Sequence, residues 1–248
     1  MADAWREFEA ALAQRRDAGR APVFWWRDDD AGAPTAEIGR LIGLSAASAT
    51  PLALAVVPRA AQPALFHMLH ARVAVLQHGS DHQNRAGPGE KKTEFPAAES
   101  EDNALARLAA ARRRLESVAG AWLIPVLAPP WNRLRGTLAA RLPEIGLRGL
   151  SGYGPRAAAQ AAPGLTQVNT HVDIIAWHAG RSFVGEEAAL DMARRQLALM
   201  SDEPTGFLTH HAVHDPACWG FLERLFDASR RYGASWAHPG AVFLPAPK

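Results

Sequence analysis

The chain has 248 residues, 48% hydrophobic and 21% charged, a globular balance with enough apolar material for a large core. Lys and Arg number 27 against 25 Asp and Glu, a net charge of +2, so the basic excess that nucleic-acid binders concentrate is missing. The single cysteine, Cys218, excludes an internal disulfide and a thiolate metal cluster.

At the N-terminus, Trp5, Phe8 and Leu12 follow helical spacing and predict an amphipathic helix over about 3–18, packed on the body of the protein. This segment has early acids and no apolar h-region, and no apolar run approaches the roughly 18 residues of a membrane span. The expectation is a cytoplasmic protein with no membrane partner. Short apolar runs predict strands over 23–27, 52–57, 73–77, 122–127, 149–151, 172–176, 206–209 and 240–244. Ala/Arg/Glu-rich stretches between them predict helices over 35–45, 62–71, 99–118, 134–142, 186–199 and 215–231. Strands apolar on both faces and separated by helices argue for an α/β fold, a (β/α) barrel or a doubly wound sheet, in one domain over 1–248. The polar stretch 79–100 is too long for an ordinary connection and predicts a functional loop. The Gly/Ala/Pro-rich stretch 152–164 reads as a lid or linker.

In both architectures the active site gathers where parallel strands end. After 23–26 comes Arg27-Asp28-Asp29-Asp30-Ala31-Gly32, where three acids repel one another unless a cation offsets them. The plainer alternative is a solvated turn with a helix N-cap. After 73–77 comes His78-Gly79-Ser80-Asp81-His82. Two histidines and a carboxylate form a three-ligand metal site with open positions, although paired surface histidines are common. After 123–128 comes Pro129-Pro130-Trp131-Asn132-Arg133, and after 206–209 come His210 and His211, with His214 and Asp215 close behind. A histidine at a strand end suits a general acid. Asp173 lies in the 172–176 strand with Trp177 just beyond it, and Cys218 beside Trp219 reads as packing.

These elements, in this order from about Val23 to His211, resemble the polysaccharide deacetylase family, the NodB-homology or carbohydrate esterase 4 type. Asp29-Asp30 resemble its Asp pair, His78 and His82 its His-(Ser/Thr)-xx-His motif, and 128–133 its Arg-x-Pro-Tyr-like loop. Asp173 with Trp177 resembles its fourth motif and Leu208-Thr209-His210 its Leu-x-His. The resemblance implies a distorted (β/α) barrel of about seven strands and a divalent metal, usually zinc. Asp30, His78 and His82 would bind the metal, Asp29 would be the base and His210 the acid. Arg27, Trp131, Arg133, Asp173 and Trp177 would bind substrate or orient the site. Two departures stand out: Ala31 replaces a glycine, and Ala128 lies where the family carries an arginine. Arg133 or Arg27 could supply that arginine. Asp28-Asp29 as base and ligand, and His211 as the acid, stay open.

The implied partner is a small-molecule or glycan substrate, with hydrolysis of an N-acetyl group the leading activity. Hydrolysis of a ureide or another small C–N bond, or a degenerate carbohydrate-binding module, are the alternatives. Lys91 and Lys92 in the 87–95 loop either meet an acidic substrate or are simply solvated.

Overall fold

The computed structural model describes residues 4–244. Helix α1 spans Ala4–Asp17, and position 3 of the expected first helix lies outside the described residues. Strands β1 (Val23–Ala31), β2 (Leu52–Val56), β3 (Val73–His78), β4 (Leu123–Ala128) and β5 (Gly149–Leu150) run parallel and side by side in that order. Between them lie α2 (Ala36–Ala47), α3 (Pro63–Phe66), α4 (Glu101–Ala119) and α5 (Gly136–Arg141). The second half carries β6 (Gln160–Ala162), β7 (Leu165–Gln167), β8 (Val172–Asp173), β9 (Ile175–Ala176) and β10 (Ser182–Phe183). Then follow α6 (Glu186–Ala198), β11 (Thr205–Thr209), α7 (Pro216–Arg231), β12 (Ser235–Trp236) and α8 (Pro239–Phe243).

The sheet order explains how this becomes a barrel. β11 lies parallel to β1 on the side away from β2, and β8 lies parallel to β11. At the other end, β7 lies parallel to β5. β7 and β8 are two ends of one extended stretch: Thr166 faces Gly149 of β5, while Val172 faces Phe207 of β11. One stave thus serves both neighbours and rolls the sheet into a ring of seven: β1 to β5, the 165–173 stretch, and β11. All seven point the same way, so their C-terminal ends share one mouth.

Strand alternation sorts the side chains. Phe24, Trp26 and Phe207 face outward into the main core, where Phe24 meets Phe8 of α1 at 6.3 Å and Trp26 meets Phe226 of α7 at 5.0 Å between ring centroids. Trp25 faces inward, packed with Ala53, Ala55, Leu76, Val126, Ala128 and Val168. Burying one such large side chain is worth about 1.5–3 kcal/mol. α1 seats on α6 and α7 through Trp5, Phe8 and Leu12. Among the described residues no helix is long and apolar enough to cross a membrane.

The structure differs from the sequence expectations in four places, the first being the 172–176 strand, which divides into β8 on β11 and β9 paired antiparallel with β10. The 240–244 segment is a helix, not a strand: His238 caps the Gly240 amide, Pro239 opens the turn, and Phe243 enters the barrel floor 5.4 Å from Trp25. A five-residue apolar run is ambiguous between these states by periodicity. β12, just before it, is the strand that pairs with β1. The helix expected over 62–71 stops at Phe66, because the chain must turn back so that the Leu52 amide reaches the Arg72 carbonyl at 3.0 Å. The 152–164 stretch ends in the β6–β7 hairpin, which turns at Gly164 in the left-handed region, φ +76°.

A buried carboxylate ties the closing stave to the rest. Glu203 accepts the Asn169 amide at 2.8 Å and the Arg156 amide at 3.0 Å, with His171 Nε2 at 3.3 Å. Burial alone would raise the Glu203 carboxyl, but His171 and the two amides outweigh it and hold it below the usual glutamate range. Its stabilisation is therefore complete above its unfolded value, about 4.3, and is lost as pH falls through its lower folded value. Chemical denaturation of wild type and Glu203→Gln should show a stability gap at neutral pH that closes between about pH 5 and pH 3. A gap independent of pH would show that the Glu203 charge does not stabilise the fold.

Candidate active site

The C-terminal ends of β1, β3, β4, β5, β8 and β11 bring together most of the residues singled out in the sequence. Along β1, alternation continues past the tryptophans: Arg27 and Asp29 fall on the inward face and Asp28 on the outward one. The β1–β2 register then slips between Asp28 and Ala31, and Asp30 turns into the left-handed region at φ 68°. Such an irregularity re-aims a side chain, here toward β3.

Asp30 meets the two histidines. His78 Nε2 and His82 Nε2 each lie 3.1 Å from Asp30 Oδ1, and one ligand atom from each of the three residues falls within 4.8 Å of the others. His78 Nδ1 is 2.8 Å from the Ala128 carbonyl oxygen and donates to it, which turns Nε2 toward Asp30. Burial would raise the Asp30 carboxyl, but hydrogen bonds from His78 and His82 overcome it and hold it far below the carboxylate range. Burial likewise disfavours charge on His78, and the Asp29 and Asp30 carboxylates outweigh it. Each imidazole nitrogen lies from the carboxylate oxygen at roughly the edge of a tetrahedron with ~2 Å bonds, and two nitrogens with one carboxylate oxygen are donors that suit a divalent metal such as zinc. Asp30 is 40% exposed on its side chain and His82 28%, so the open side of the triad faces the mouth.

Asp29 stands beside this group under a different control. It is buried, and Arg27 grips it at two points: Nε lies 2.9 Å from Oδ1, and Nη2 donates to Oδ2 at 3.0 Å. The same buried guanidinium donates to Asn132 Oδ1 at 2.6 Å and to the Ser151 carbonyl at 2.9 Å. Arg27 is thus an arginine that reaches Asp29, a contact that Ala128 cannot make. Arg133 does not reach Asp29. It is exposed, donates to the Lys92 carbonyl at 2.7 Å, and with Lys91, Asn132 and Arg135 lines a neighbouring cavity of about 440 Å³.

His210 and His211 part company across β11. His210 Nε2 is 3.9 Å from Asp29 Oδ2, on the mouth side. His211 turns to the outward face, where its Nδ1 lies 2.5 Å from Asp28 Oδ1. Asp28 Oδ2 also accepts the Thr209 hydroxyl at 2.6 Å and the His211 amide at 3.0 Å. Both oxygens of this fully buried carboxylate are engaged, so Asp28 acts as a clamp on the turn that presents His210. Burial opposes charge on both partners, yet each lets the other keep it: Asp28 is lowered and His211 raised. His214 lacks such a partner, and burial pushes it down to about 4. Asp215 is the α7 N-cap, accepting the Cys218 amide at 2.9 Å, and burial pushes the Cys218 thiol up to about 12, an inert packing group.

Two tryptophans flank the site. Trp131 lies 4.5 Å from His82 between ring centroids, and Trp177 meets His210 edge-on at 4.6 Å. Asp173, raised by burial, accepts Trp177 Nε1 at 2.8 Å and so fixes that ring. Asp30, His82, Trp131 and Asn132 are four of the seven non-glycine residues with positive φ among the described residues. Each such conformation costs of order 1 kcal/mol and persists only where its surroundings enforce it. Strain gathered at one mouth marks a built site.

Residues missed at the sequence level are the supports: Asn132, Ser151, Thr209 and Glu94, all joined to the site by long-range hydrogen bonds that leave no periodic trace.

No family model matches the sequence, and neither does any curated protein. Solved structures do match. A family 4 carbohydrate esterase from Streptomyces lividans, in complex with acetate, aligns with a TM-score of 0.57 at 14% identity, covering 92% of this chain and 98% of that one. The polysaccharide deacetylase Bc1974 from Bacillus cereus aligns at 0.55 and 13% identity over 87% and 90% of the two chains. The chain has the polysaccharide-deacetylase fold. A mutant of a carbohydrate esterase family 4 pseudoenzyme, with restored activity, also shares this fold at a TM-score of 0.59 and 13% identity, over 89% of this chain and 67% of that one.

The Asp28 clamp gives a stability test. Asp28→Asn breaks a buried charged pair and should cost about 3 kcal/mol in urea unfolding. A variant as stable as the parent would show that the pair does not hold the Thr209–His211 turn.

Proposed function

We propose that this chain is a metal-dependent hydrolase that removes an acyl group from a linear amide, an N-acetyl group on an amino sugar or a related small molecule. The observation that carries this reading is the position of Asp29: a buried carboxylate gripped by Arg27, beside the Asp30–His78–His82 donor set and 3.9 Å from His210. The deacetylases among the structural neighbours support the same chemistry on this fold.

Asp30, His78 and His82 would hold the metal, zinc by the chemistry of these donors, and when bound it supplies Lewis-acid activation of water and of the amide carbonyl. Asp29 accepts the proton that the attacking water gives up. Arg27 keeps that carboxylate aimed and stops it from turning toward the metal ligands. His210, protonated, hands its proton to the departing nitrogen as the C–N bond breaks, so the products are a carboxylic acid and an amine. Trp131 and Trp177 present aromatic walls on opposite sides, suited to the apolar face of a sugar ring.

The pseudoenzyme neighbour favours a second reading, a carbohydrate-binding protein without turnover. The grouping of Asp29, His210 and the Asp30–His78–His82 donors at one mouth supports the hydrolase. Elemental analysis and acetate release from N-acetylated chito-oligosaccharides separate the two. His78→Ala and His82→Ala should lose both zinc and activity, while Asp29→Asn and His210→Ala should keep zinc and lose about 10²–10⁴ in turnover. Full zinc occupancy in the double histidine variant would overturn the ligand assignment. Turnover of cyclic ureides in place of N-acetyl sugars would assign the substrate to the other C–N class. Arg27→Lys retains the charge but not the two-point grip, and kcat should fall further than KM rises. An unchanged kcat would remove Arg27 from the mechanism.

A further inference from the structure

We infer that Glu94, a buried carboxylate in the 79–100 loop, is the positioning residue for the metal ligand His82. The inference rests on the metal-centred reading above. Glu94 is fully buried, and its two oxygens divide their work. Oε1 accepts the Ser80 amide and Arg107 Nη1, each at 2.8 Å, together with the Ser80 hydroxyl. Oε2 accepts the His82 amide at 3.2 Å. One carboxylate therefore gathers the backbone of the turn between the two histidine ligands.

Three further observations show that this turn is shaped around Glu94. Gly79 has φ +61°, and a Cβ there would sit 2.1 Å from Glu94 Oε2 and 2.6 Å from Pro130 Cδ, so the carboxylate fills the space that glycine vacates. Gln77 Nε2 donates to the Gly79 carbonyl at 2.9 Å, bracing the other side of the turn. His82 itself has φ 58°, a conformation that persists only where its surroundings enforce it, and Glu94 supplies the acceptor for its amide. The cost of burying the Glu94 charge is met by Arg107 of α4, which also holds Glu99 through two contacts at 2.7 Å. His78 lies on a strand and needs no such help. His82 hangs on the loop, and its imidazole reaches Asp30 only while the loop keeps this shape.

Glu94→Gln separates positioning from folding. The amide oxygen can replace Oε1 and keep the Ser80 and Arg107 contacts, but the amide nitrogen then faces the His82 N–H, donor against donor. Zinc is titrated into metal-free wild type and variant against a chromophoric chelator, with thermal melting of both metal-free proteins and amide hydrogen exchange. The expected result is a zinc Kd about 10–100-fold weaker in Glu94→Gln, metal-free melting within a few degrees of wild type, and faster exchange at His82 than at Ser80. Zinc bound as tightly by the variant as by wild type would overturn the inference. If the variant does not fold, exchange in metal-free wild type decides: a protected His82 amide supports the clamp, and exchange at the rate of the open loop overturns it. Wild type that binds no zinc at all would instead remove the metal-centred reading on which the inference rests.

Discussion

A guanidinium in the middle of the barrel mouth organises this protein. Arg27 is fully buried, and a charge so placed is tolerated only when nearly every donor has an oxygen to meet. Those oxygens come from Asp29, Asn132 and Ser151, so one side chain of β1 joins the ends of β4 and β5 across the ring. The requirement runs both ways. Arg27 needs Asp29 ionised, Asp29 needs Arg27 to stay aimed, and Asn132 accepts its left-handed backbone at φ 57° while its side-chain oxygen faces the cation.

The same device recurs twice with carboxylates in the organising role. Asp28 gathers the Thr209–His211 turn, and Glu94 gathers the turn between His78 and His82. In each case a buried acid accepts at least one backbone amide of a turn that carries a histidine of the proposed site, and a cationic partner offsets the desolvation. Loops are ordinarily the mobile part of a barrel, and hydrogen bonds to a charged acceptor, worth about 1.5–3 kcal/mol each, restrain them where position matters.

The outline of the fold was legible because parallel strands are apolar on both faces and end in polar clusters, as at 28–30, 78–82 and 210–211. The division of labour within those clusters was less so. Three consecutive acids left the register open until strand alternation placed Asp28 on the face opposite Arg27 and Asp29. Arg133 stood next to the Pro129-Pro130 pair in sequence, yet the arginine that reaches Asp29 is two residues away from it on the same strand. Glu94 sat in a loop whose length marked it as functional, but nothing in the sequence singled out this residue, since a contact spanning 12 residues to His82 leaves no pattern in the chain. The 240–244 run, apolar and short, suits a buried helix as well as a strand.

The ring closes through a single stave shared between β5 and β11, and this has a mechanical consequence. Around 168–171 the chain changes neighbours without losing its backbone hydrogen bonds: Val168 and Thr170 donate to the Leu150 and Gly152 carbonyls, and His171 and Ile174 donate to those of Gly206 and Leu208. A stave bonded on both edges, and tied again by Glu203 and by Trp25 Nε1 on the Asn169 carbonyl, fixes the circumference of the barrel. That stave carries Asp173, with Trp177 just beyond it, to the mouth, while β1 and β3 carry Arg27, Asp29, Asp30 and His78. The wall beside His210 and the spacing of the Asp29, Asp30 and His78 side chains are thereby set by different strands of the same sheet.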